Sequence, residues 1–92
     1  MPYIRLEPLG SFIARDDDGA EHEIDVHQGY DEIWVNGVRT EVPTRLLFSG
    51  FNRRPAERVG PGRYRFVDAP QRELTTDDPD EKILTQSLGT EP

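Results

Sequence analysis

Eight glycines and eight prolines cut this chain into short apolar runs, leaving little room for a helix of ten or more residues before residue 79. Between the breaks the residues alternate, and two hairpins can be read together with their register. The first joins Leu9–Arg15 to Ala20–His27 through an aspartate/glycine turn. A two-residue turn at Asp18-Gly19 would set Phe12 opposite Asp25. A three-residue turn, Asp17-Asp18-Gly19 with Gly19 left-handed, sets Phe12 opposite Ile24, Ala14 opposite His22 and Arg15 opposite Glu21. The three-residue turn is preferred. A one-residue slip exchanges the two faces, and only this register gathers Phe12, Ala14, Ile24 and Val26 on one side while pairing opposite charges on the other.

The second hairpin is Glu32–Val35, Asn36-Gly37, Val38–Val42. Asn-Gly between alternating hydrophobic residues marks a type I′ turn. It pairs Val35 with Val38, Ile33 with Thr40, Trp34 with Arg39 and Glu32 with Glu41. Ile33, Val35, Val38 and Val42 then share a face, expected to be the core face, and Trp34 points the other way. A further strand is expected at Arg45–Ser49, after Pro43. A long arginine-, glycine- and proline-rich loop is expected from Gly50 to Gly62. The strand Gly62–Val67 places Tyr64 and Phe66 on one face and Arg63, Arg65 and Val67 on the other. A short edge strand through Leu74 is expected within 71–76.

Five to six short antiparallel strands cannot make two large sheets. They can curl into an all-β fold, a small antiparallel barrel or roll of the SH3-like or OB-like kind, which removes exposed strand edges. The domain is expected over residues 1–76, with a core of Leu9, Phe12, Ile24, Val26, Ile33, Val35, Val38, Leu47, Tyr64 and Phe66. Residues 77–92 read as an acidic C-terminal tail, expected to be disordered in isolation. Within it, Asp78-Pro79 can open one turn of helix through Ile83 and Leu84.

The segments Gly10–Gly19, Ile24-Asp-Val-His-Gln28, Gly62-Arg-Tyr-Arg-Phe-Val67 and Asp77-Asp-Pro79 carry a resemblance. Together they are similar to a group of small hypothetical bacterial proteins that open with an Ala-Arg-Asp…Gly hairpin and close with a Gly-x-Tyr strand and an Asp-Asp-Pro tail. Where that group has Val-Asn-Arg before the final strand, this chain has Ala56-Glu-Arg58. The shared motifs are turn and strand signals. The resemblance implies no activity.

Charge is sorted along the chain. Residues 1–42 carry a net −7, residues 43–72 a net +5 and residues 73–92 a net −5, against −7 for the whole. The acidic balance disfavours sequence-independent DNA binding by the whole surface. The absence of cysteine excludes disulfides, thiolate metal sites and cysteine nucleophiles, and fits a cytoplasmic location. No stretch approaches the roughly 20 apolar residues that cross a bilayer. The opening Met-Pro-Tyr-Ile-Arg-Leu-Glu-Pro has no signal-peptide pattern.

Candidate chemistry is sparse. Asp16, Asp18 and Glu21 around Gly19 lack the bidentate glutamate that a calcium loop places twelfth; that position is His27. His22 and His27 are five apart on one strand and point to opposite faces. Ser49 has one flanking glycine of a nucleophile elbow, and Pro61 in Gly60-Pro61-Gly62 has no N–H to offer a phosphate. No cofactor or metal is expected, and the protein is expected to act by binding, not as an enzyme. Two surfaces compete. Trp34 with Arg39 suits a protein partner or a homo-oligomer. Arg53, Arg54, Arg58, Arg63 and Arg65, beside Phe51 and Asn52, suit an anion or single-stranded nucleic acid, unless they pair with the chain's own acids.

Overall fold

A computed structural model describes residues 5–85 of the chain. Gly19, at φ 84°, closes a turn in which the Asp16 side chain accepts hydrogen bonds from the amides of Asp18 and Ala20 at 2.9 and 3.0 Å. The turn joins β1 (Arg5–Arg15) to β2 (Glu21–Val35) with Phe12 opposite Ile24, Ala14 opposite His22 and Arg15 opposite Glu21, as the three-residue turn demands. Asn36 and Gly37, at φ 52° and 78°, form the second turn and lead into β3 (Val38–Ser49). Its four expected pairs, from Val35–Val38 to Glu32–Glu41, are all present.

A 3-10 turn at Phe51–Arg53 then leads to β4 (Pro55–Gly60), β5 (Arg63–Phe66) and β6 (Ala69–Thr75). Each strand pairs antiparallel with its neighbour in sequence, and Arg15 opposite Thr75 closes the ring into a six-stranded barrel. The expected loop 50–62 therefore contains a strand, with Ala56, Glu57 and Arg58 opposite Phe66, Arg65 and Tyr64. Phe12, Ala14, Ile24, Val26, Leu46, Phe48, Tyr64, Phe66 and Leu74 fill the interior. The rings of Phe12 and Phe48 each lie 5.0 Å from that of Tyr64, in tilted and edge-on contacts of the kind aromatic cores favour.

The core corrects four expected positions outright. Ile33, Val35 and Val38 are exposed, and so is Leu9. The reason is continuity. β2 is one strand of 15 residues, about 50 Å long at ~3.3 Å per residue, against a longest molecular dimension of 53 Å. Its even positions, Ile24 and Val26, face inward, so the odd positions Ile33 and Val35 continue the outer face. Beyond Gly29 the β2–β3 ribbon runs past the barrel as a projecting arm. Leu47 is half-buried, because Val26 sits opposite Phe48 and cross-strand partners share a face, which puts Leu46 and Phe48 inside. Leu9 is the extra residue where the β1 register shifts between Pro8 and Gly10.

The stretch after Thr76 folds as the helical alternative allowed. Asp78 caps α1 (Pro79–Leu84) by accepting from the Asp80 amide, with Pro79 at the first helical position. The segment lies across the β1–β6 seam as a strap. Residues 86–92 of the expected tail lie outside the described residues.

Candidate interaction site on the projecting arm

The arm offers two unlike faces. Its outer face carries Ile33, Val35 and Val38, which are 42, 48 and 63% exposed, with Thr40 and half-buried Val42 beside them. The other face carries Glu32, Trp34, Arg39 and Glu41. Trp34 is 65% exposed. Arg39, opposite Trp34, is held in an ion pair with Glu32. Glu32 and Glu41 stand directly opposite one another, and like charges in that position repel. Arg39 neutralises the first. Arg5 neutralises the second at 3.0 Å while stacking on the Tyr30 ring at 4.0 Å. The hydrogen bond to Glu41 holds the Arg5 pKa above its ordinary value.

The arm is also bare at its edges among the described residues. β3 pairs with β4 only at Phe48 and Ser49, and β1 pairs with β2 no further out than Tyr30. A two-stranded ribbon with apolar side chains on both faces is marginal by itself in water. Here the barrel supports it at one end only.

The five candidate arginines are set against acids or spread apart. Arg54 pairs with Asp68 at 2.9 Å and lies 3.9 Å from the centre of the Phe66 ring. Arg63 pairs with Glu73 at 2.8 Å and Arg65 with Glu57 at 2.6 Å. Arg58 approaches Glu81 of the strap at 3.8 Å, and its Nε is buried without a hydrogen-bond partner. Arg53 stands on the exposed 3-10 turn with Phe51 and Asn52, across an open cleft of about 460 Å³ from Glu21, Glu23 and Asp25. A phosphate would have to displace carboxylates from four of these five side chains.

The three aspartates of the first turn bring their oxygens within 4.8 Å of one another. Arg72 supplies the positive charge there, donating to Asp17 at 3.2 Å and to Asp18 at 2.8 Å. His22 bonds Asp16 at 3.0 Å, and this bond, more than the turn amides, holds the Asp16 carboxyl below the ordinary carboxylate range.

The strap has a polar attachment that no local pattern announces. Glu81 is 5% exposed and accepts a 2.8 Å hydrogen bond from the Tyr64 hydroxyl. Burial first, and then Glu81, raises the Tyr64 pKa above the usual phenol range. Leu84 packs over Gly10, where an added Cβ would meet Leu84 Cδ2 at 3.2 Å. Ile13, on the weakly paired seam, donates its N–H to Asp78 Oδ2 at 3.0 Å, and its carbonyl accepts from the Thr76 hydroxyl at 2.5 Å.

The amides of Ile13 and Asp80 hold the Asp78 carboxyl below its ordinary value of 3.8. A depressed folded-state pKa contributes stability that is complete above the ordinary value and is lost as pH falls through the depressed one. Acid below about pH 4 should therefore loosen the strap. Amide exchange of Ile13 followed from pH 6 down to pH 3, and corrected for intrinsic exchange, should show protection falling there. Asp78→Asn should flatten that dependence.

No described helix is long and apolar enough to cross a membrane. Comparison with family models, with curated proteins and with solved structures found no match.

Proposed function

We propose that the protein is a non-catalytic β interaction module whose projecting arm is the element that binds a protein surface, its own copy included. One observation carries this reading. Ile33, Val35 and Val38 form an uncharged apolar row on a ribbon that extends beyond a barrel already filled by other side chains. Apolar rows on exposed ribbons mark contact surfaces. Trp34 and Arg39 supply the aromatic and cationic residue types that dominate binding energy at such contacts.

The area is small. Three half-exposed aliphatic side chains and one tryptophan fall short of the roughly 1,200 Å² of a standard interface, so the expected complex is transient. Light scattering over a concentration series to the millimolar range should show a mass rising above that of the monomer. Trp34→Ala should reduce the association several-fold while leaving the far-UV circular dichroism and melting temperature of the barrel unchanged. A monomeric mass throughout, or association indifferent to substitution in the arm, would sink the reading.

A further inference from the structure

The edge of β3 that is bare among the described residues is complementary to itself. The segment Val38-Arg39-Thr40-Glu41-Val42 has valine at both ends, threonine at the centre and opposite charges between. Laid antiparallel on a second copy about a two-fold axis through Thr40, it sets Val38 beside the partner's Val42 and Arg39 beside the partner's Glu41. An isologous contact repeats each pairing twice.

The backbone permits this register. In a two-residue hairpin the residues flanking the turn exchange both hydrogen bonds, and bonded pairs then alternate along the ladder. Val35–Val38, Ile33–Thr40 and Asp31–Val42 are therefore the bonded pairs of the arm. The N–H and C=O groups of Arg39 and Glu41 point away from β2, toward the bare edge. With the axis on Thr40 these groups meet their counterparts and form four backbone hydrogen bonds.

The neighbouring registers fail on charge or on donors. An axis through Arg39 sets two arginines face to face. An axis through Glu41 sets two glutamates face to face and also asks Pro43 for an N–H it does not have. Pro43 thus ends the edge where the favoured register ends.

We infer that the partner of the arm is a second copy of this chain, joined edge to edge through β3 in the register centred on Thr40. The dimer is a four-stranded ribbon with a barrel at each end. Its outer rows merge Val35, Val38 and Val42 of both copies, and on the opposite side Arg39 gains the partner's Glu41 while keeping Glu32 within reach. This inference rests on the arm being the contact element, and its test separates the two.

Arg39→Glu places two glutamates opposite two glutamates at the axis, and Glu41→Arg places arginine opposite arginine. Each variant alone should associate about tenfold or more weakly than the wild type. A one-to-one mixture of the two should restore association as a heterodimer, and so should the double exchange R39E/E41R. The second measurement needs no charge reversal. Thr40→Cys introduces a thiol into a chain that has none. Unbonded antiparallel pairs lie about 4.5 Å apart at Cα, within disulfide reach, so mild oxidation should give a covalent dimer, and Thr44→Cys should give much less. Single variants that associate like the wild type, a mixture that stays monomeric, or no cross-linking preference for residue 40 would overturn the register and leave the arm as a contact of another geometry. A wild-type chain that never associates would overturn both.

Discussion

Phe12→Ala should remove most of the stability of the barrel. Phe12 is buried between strands, with its ring against Tyr64, in the core that also holds Ile24, Val26, Phe48 and Leu74. Truncating a buried phenylalanine costs about 3–5 kcal/mol, because the lost transfer energy is joined by that of a cavity the surroundings only partly fill. A barrel built from so short a chain, 92 residues in all, starts from the low end of the usual 5–15 kcal/mol. The variant should therefore melt far below the wild type and be partly unfolded near 37 °C. Far-UV circular dichroism in urea is the appropriate probe, because Trp34 sits on the exposed arm and reports the barrel poorly. Val38→Ala, on the arm, should move the same curve by about 0.5 kcal/mol or less, as surface changes do. Equal losses at the two positions would mean that the arm and the barrel share one core.

What could be read from the sequence was what is decided locally. The Asp/Gly and Asn-Gly turns fix their own registers, and both hairpins follow pair by pair. The inward row of Phe12, Ala14, Ile24 and Val26 follows from the first register alone. The arm is misplaced when the strand ending at His27 and the strand starting at Glu32 are read as separate, each with its own inward face, because β2 is continuous from Glu21 to Val35. Parity counted from Ile24 and Val26 through Gly29 would have placed Ile33 and Val35 outside. Pro43 misled in the same way, since β3 runs through it. It does so where β3 holds one residue more than β2 between the pairs Gln28–Leu46 and Tyr30–Pro43. β4 is not legible because Pro55, Gly60, Glu57 and Arg58 outweigh Ala56 and Val59 in any local count.

The sites divide along the same line. Trp34 and Arg39 were located because they flank a turn. The fate of the arginines was not legible, because their partners come from other elements whose pairing no local pattern gives: Arg65 meets Glu57 on β4 and Arg63 meets Glu73 on β6. Arg58 meets Glu81, from the far side of β5 and β6, and Arg54 meets Asp68 beyond β5. Asp78-Pro79 announced a helix start. Nothing nearby distinguished Glu81, the one acid of the strap that is buried, from Asp80 beside it. The positive middle segment and the acidic C-terminal segment are thus joined in part by folding, which is the internal pairing weighed against a free anion site.

That junction carries the second large effect. Glu81→Ala should destabilise the protein by about 1–3 kcal/mol, the cost of stranding a buried polar partner, because the Tyr64 hydroxyl loses its acceptor at 2.8 Å. Arg58, whose Nε already lacks a hydrogen bond, loses its nearby acid as well. Tyr64→Phe removes the hydroxyl instead and leaves the ring contacts with Phe12 and Phe48 intact. If the hydrogen bond is what holds the strap, the two changes are not additive. Glu81→Ala should cost clearly less in the Tyr64→Phe background, by the 0.5–3 kcal/mol typical of groups in direct contact. Amide exchange of Ile13 gives a separate measure, since its N–H is satisfied by Asp78 of the same strap. It should speed up in Glu81→Ala while the amides of Ile24 and Val26 slow or quicken only with global stability. Additive losses, with Ile13 as protected as before, would show that Leu84 on Gly10 seats the strap and that the buried acid merely tolerates its place.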